Sequence, residues 1–178
     1  AKLSTKTSAA VPPLAKSRAK MTPRRPITGS SGTAAAMNSD SLRAERCRQQ
    51  IDAALQPARL LKLIEECEKD IAAGPFLDEI RHLAVGARSA LEGQRLAGLS
   101  SDFFDEPGGD GQFRGLIAKA VRGDQLAAYS LARAFRNGES GVASSPRRVE
   151  QWLRFASELG NGRASWELAE LYNYSGQI

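Results

Sequence analysis

The side chains best able to do chemistry are few: one histidine, His82, and two cysteines, Cys47 and Cys67. The cysteines are too far apart in sequence to supply the closely paired ligands of a usual zinc site. Both lie on segments with helical periodicity, where they read as small buried hydrophobes, and the same placement permits a disulfide between neighbouring helices. His82 falls within a helical stripe and reads as a surface or boundary residue, not a catalyst. Asp102, Asp105, Glu106 and Asp110 invite a calcium reading, but a calcium loop needs alternating ligands and a terminal Glu, and this spacing supplies neither. No nucleophile elbow and no phosphate-binding glycine loop is present. The expectation is a non-enzyme with no catalytic residue, no cofactor and no metal.

Charge is the other chemical signal. The chain has 178 residues and a formal charge of +5, but residues 1–39 alone carry seven Lys/Arg and no acid, so the remainder carries −2. Within that tail Lys16, Arg18, Lys20, Arg24 and Arg25 form a cluster able to contact phosphates or an anionic surface by charge alone. The first aromatic residue is Phe76, so the tail has no ring to stack on bases, which disfavours sequence-specific nucleic-acid binding. Its Ser, Thr, Ala and Pro-rich composition predicts disorder and also suits a targeting or secretion leader. No apolar run approaches the ~18 residues of a membrane span, and no conventional export signal is visible, so the default expectation is cytoplasmic, with secretion or an organelle left open. The sequence starts without Met, which also suits a fragment.

What positions these groups is helical. Ser39 or Asp40 is expected to cap a first helix running to about Gln56, with Ala44, Cys47, Ile51 and Leu55 along one stripe. Pro57 opens a second helix bearing Leu60, Leu61, Ile64, Cys67 and Ile71, and Gly74-Pro75 stops it. A third helix, from about Phe76 to Leu96, gathers Phe76, Leu77, Ile80, Leu83, Ala84, Ala87 and Leu91. Residues 40–97 therefore read as a three-helix bundle. Residues 98–112, with Pro107, Gly108, Gly109 and Gly111, read as a solvated acidic linker that Phe103 and Phe104 pin to a neighbouring helix.

The last third contains an internal similarity. A shift of 37 residues carries Leu116 onto Leu153, Gly123 onto Gly160, Ala127 onto Ala164, Leu131 onto Leu168, Ala132 onto Ala169, Tyr129 onto Trp166 and Phe135 onto Tyr172. These matches keep phase with a helical period and predict a helix-loop-helix unit. Asp124 caps one helix and Asn137-Gly138 ends it; Ser145-Pro146 opens the next, which presents Val149, Trp152, Leu153, Ala156 and Leu159, and Gly160 supplies a left-handed stop.

The run Ala127, Leu131, Phe135, Gly138, Gly141-Val142, Trp152, Ala156, Gly160, Ala164 resembles the Sel-one-like repeat, a relative of the tetratricopeptide repeat. It covers about residues 113–176. One residue more separates Gly138 from Gly141 than in the family's usual Gly-x-Gly-Val loop, and Ser145-Pro146 replaces the acid that often follows. The resemblance implies a short α-solenoid over 113–178, following the helical bundle in an all-α fold, and a non-catalytic scaffold or adaptor that binds a protein or peptide. The concave face it implies is lined by Ser130, Arg133, Arg136 and Asn137, then by Glu167, Glu170 and Asn173. A solenoid needs about three units, so Leu168, Leu171 and Tyr172 are expected to lack a covering helix, unless the chain continues in a longer repeat protein or a second copy covers them.

Overall fold

A computed structural model describes residues 31–71 and 73–175; the cluster Lys16, Arg18, Lys20, Arg24 and Arg25 lies outside the described residues. Among the described residues the fold is all-α, with seven helices and no strand. They are α1 (Ser31–Asp52), α2 (Pro57–Asp70), α3 (Pro75–Leu96), α4 (Gly111–Val121), α5 (Gln125–Asn137), α6 (Pro146–Glu158) and α7 (Gly162–Ser175).

The first helix departs from expectation at both ends. It begins at Ser31, so Ser39 and Asp40 lie within it and do not cap it. Ala34-Ala35-Ala36 are strong helix formers, a preference that the shortage of large apolar side chains concealed. It ends at Asp52, short of the expected Gln56; Gln56 itself is extended at φ −130°, as the residue before a proline prefers. Pro57 then occupies the first turn of α2, burying itself with Leu60, Ile64 and Cys67.

Cys47 and Cys67 are joined in a disulfide between α1 and α2, with Cα atoms 5.9 Å apart. Both are buried as expected, at 6% and 2% exposure, but they are covalently paired and are not independent hydrophobes. The pairing arises because α1 lies directly on α2, which brings each helix's one cysteine to the shared face.

Each later helix packs on its neighbour, and α3 additionally reaches both α4 and α6. That double duty widens the buried side of α3. Leu77, Ile80, Ala84 and Ala87 go inside as expected and Ala90 and Gly93 join them, whereas Leu91, expected in the stripe, is 38% exposed. Small residues let the partner helices approach: a methyl group at Gly93 would touch Phe155 of α6 and Leu159 just beyond it at 3.4–3.5 Å. At Gly86 the contact is closer still, because a Cβ there would collide with the carbonyl oxygen of Arg122, in the turn between α4 and α5. Gly123 completes the contact at φ 85°, with the Gly86 carbonyl 2.7 Å from where its own Cβ would stand.

Arg122 braces the same joint. Its guanidinium donates to the Ala118 carbonyl at 2.7 Å and the Ile51 carbonyl at 3.1 Å, and pairs with Asp52 at 3.4 Å. It thereby satisfies carbonyls near the ends of α4 and α1, where helices lack partners of their own. A single apolar core runs from Cys47 in α1 to Ala164 in α7.

The segment between α3 and α4 is packed at its centre. Phe103 and Phe104 are buried against Trp152 and Phe155 of α6, with centroids 4.4–5.8 Å apart. Gln94, buried at the end of α3, donates to the Ser100 carbonyl at 2.5 Å. No described helix is long and apolar enough to cross a membrane.

Candidate docking surface

The acids that suggested a cation loop have separate structural uses. Asp110 caps α4 by accepting from the Phe113 N–H at 2.8 Å, and Asp105 accepts from Gln56 at 2.6 Å. Glu106 turns inward onto Arg148; burial pushes its carboxyl above the usual range, with Arg148 opposing. Arg148 also donates to Gln151 at 3.0 Å and stands 5.6 Å over the Phe103 ring. The shallow hollow of about 410 Å³ beside it mixes Asp102 and Asp105 with Arg147 and Arg148, so it favours neither sign of ligand. His82 is exposed on α3, and among the described residues no group of three or more His, Cys, Asp or Glu could hold a metal.

The residues expected on a concave face belong to α5 and α7. Asp124 starts α5, accepting from the Leu126 and Ala127 N–H groups at 2.9 and 3.0 Å. Thirty-seven positions on, Asn161 does the same for α7, accepting from the Ala164 N–H at 2.9 Å. Gly123 and Gly160, at φ 85° and 91°, make the turns that precede these caps. Gly138 closes α5 in the left-handed region at φ 68°, and Ser140 and Gly141 adopt the same sign, at 57° and 79°. Left-handed backbone thus turns the chain from the end of α5 toward α6. Ser145 then returns to α5, donating its N–H to the Phe135 carbonyl at 3.0 Å.

Between the two helices Glu167 is the hub. It pairs with Arg136 at 2.6 Å and Arg163 at 3.5 Å, and accepts from the Tyr129 hydroxyl. Burial pushes the Glu167 carboxyl up, but Tyr129, Arg136 and Arg163 together outweigh it and hold it below the usual range. The Tyr129 phenol is pushed up, by burial first and then by bonding to that carboxylate. Beside the latch lies a groove of about 430 Å³ lined by Arg136, Trp166, Glu167, Glu170, Leu171 and Tyr174.

The structure thus brings together Arg136, Glu167 and Glu170 of the expected set. Ser130 instead bonds back to the Leu126 carbonyl at 2.8 Å, and Asn137 donates to Glu139 at 3.0 Å. Arg133 and Asn173 are exposed but do not line the groove. What the sequence reading missed are the groove's aromatic walls, Trp166 at 60% and Tyr174 at 73% exposure. Trp166 had been matched to Tyr129, a half-buried residue. The available signal was spacing: Trp166, Glu170 and Tyr174 recur every four residues, along one side of a helix. Leu168 and Leu171 are half-buried, while Tyr172 is 45% exposed and donates its hydroxyl to Glu150 at 2.9 Å. No protein-family model, no curated protein and no solved structure matches this chain.

Proposed function

We propose that the chain is a non-catalytic protein-interaction module of the Sel-one-like kind, whose docking surface is the groove between α5 and α7. The observation that carries this reading is the pairing of exposed Trp166 and Tyr174 with a pre-ordered Arg136–Glu167 latch. Trp, Tyr and Arg are the residues that dominate binding energy at protein interfaces. Two rings held on one helix lose little conformational freedom when covered, and Leu171 between them offers an apolar floor. The ligand that fits is a peptide segment of a partner protein that places an apolar side chain between the rings and a polar group within reach of Arg136 and Glu170.

The test is selection of peptide ligands from a displayed library against the full chain, followed by affinity measurement. Trp166→Ala and the charge reversal Arg136→Glu are each expected to weaken the selected ligands at least about tenfold, the effect of losing an interface anchor. Val85→Ser, on the exposed face of α3, is expected to leave affinity unchanged. Equal binding by all three variants would remove this groove as the docking surface.

A further inference from the structure

Among residues 39–52, helix α1 is held to the molecule by the partly buried Ala44 and by its last two turns. Cys47 and Ile51 are buried, and Ala54 just beyond the helix is buried too, whereas Asp40, Ser41, Leu42, Arg43, Glu45 and Arg46 are exposed, Leu42 at 69%. The polar ties around this anchor are the Arg122 bonds to Ile51 and Asp52 and an Arg48–Glu79 pair at 3.6 Å, with Arg48 5.1 Å over the Phe76 ring. The Arg48–Glu79 pair has both side chains about half exposed, at 47% and 58%, and such solvent-screened pairs contribute little. At the centre of the anchor stands the disulfide to Cys67. Beneath it lies the apolar side of α2, where Leu60, Ile64 and Cys67 are at most 2% exposed.

From this arrangement we infer that α1 is a redox-held cover over α2: oxidation of Cys47 and Cys67 fixes it in place, and reduction releases it, uncovering the Leu60 and Ile64 stripe. The chemistry is thiol–disulfide exchange. A dithiol reductant attacks one sulfur as its thiolate, breaking the S–S bond and forming a mixed disulfide. The released cysteine sulfur takes a proton, and the reductant's second thiolate then attacks the reductant's own first sulfur, expelling the other cysteine as a thiolate that also takes a proton. Two electrons and two protons pass to the protein, leaving two thiols and an oxidised dithiol. Closing a loop of this length removes unfolded-chain entropy equivalent to a stabilisation of about 3 kcal/mol. With few buried side chains among residues 39–52, this unit is of the weakly held kind that opens locally, ahead of the rest of the molecule.

Amide hydrogen exchange of the full chain, before and after dithiothreitol, tests this. Reduction is expected to speed exchange across residues 43–52 on the order of a hundredfold, the factor corresponding to that loop-closure entropy, while α5 and α6 keep their protection. The double variant Cys47→Ser, Cys67→Ser is expected to show the reduced pattern without reductant and no further change with it. Exchange that accelerates equally in every helix would make the disulfide a global staple and overturn the cover. Unchanged exchange in α1 would overturn it as well. Ellman titration of the reduced sample verifies that both thiols have formed before either pattern is read.

Discussion

Two carboxylates with opposite shifts make a residue-scale prediction about pH. Glu167 is held below its ordinary value of 4.5 by Tyr129, Arg136 and Arg163 acting against burial. Its contribution to stability is therefore complete above pH 4.5 and is lost as pH falls through the depressed folded value. Glu106 is raised, by burial acting against Arg148. The folded state holds that proton more tightly than the unfolded chain, so stability is lost as pH rises from 4.5 through the raised folded value. Urea midpoints measured across this range are expected to lose their low-pH slope in Glu167→Gln and their opposite slope above 4.5 in Glu106→Gln. Neither behaviour was legible in the sequence. Glu167 reads there as a peptide contact and Glu106 as a solvated acid: Arg163 stands one turn from Glu167, but Tyr129 and Arg136 stand 38 and 31 positions from it, and Arg148 stands 42 from Glu106.

At the scale of elements, the caps carry the argument. Asp124 and Asn161 occupy corresponding places ahead of α5 and α7, yet their surroundings differ. Asp124 is exposed, whereas Asn161 is buried and also donates to the Gln125 carbonyl at 3.3 Å, joining α7 to the start of α5. Asp124→Ala is expected to cost about 1 kcal/mol, the usual value of a lost cap. Asn161→Ala is expected to cost about 2 kcal/mol, since a buried donor and acceptor go together. Chemical denaturation of the two variants checks the order, and equal losses would show that the link to Gln125 contributes nothing. Capping residues, helix-opening prolines and stop glycines were readable because their effects are local. The start of α1 was not, because alanine supplies helix propensity without the apolar stripe by which helices are usually recognised. From sequence the disulfide is one of two options for the cysteines, since only the contact between α1 and α2 selects it.

Across the whole molecule, the decisive positions are those with the least side chain. Gly86 and Gly123 place the backbone of α3 against the turn between α4 and α5. Gly86→Ala is expected to destabilise the chain by about 3 kcal/mol, because the added methyl meets a main-chain carbonyl and not a movable side chain. Thermal unfolding followed by circular dichroism would show it, and an unshifted midpoint would mean the helices can part at no cost. The all-α class was legible from periodicity, and so was most of the inner face of α3, where Leu77, Ile80, Ala84 and Ala87 are buried as expected; the addition of Ala90 and Gly93 and the exposure of Leu91 were not, because they depend on how closely α4 and α6 approach. Nor did the sequence show that Trp166 and Tyr174 would face solvent together, since exposure depends on what lies beside α7 and not on the helix itself. The glycine contact also has a mechanical meaning. With no side chain between the two backbones, the joint has no rotamers to rearrange and so behaves as a stiff pivot. A load applied through a ligand at α7 would be passed along the helices to α3, and not dissipated at this point.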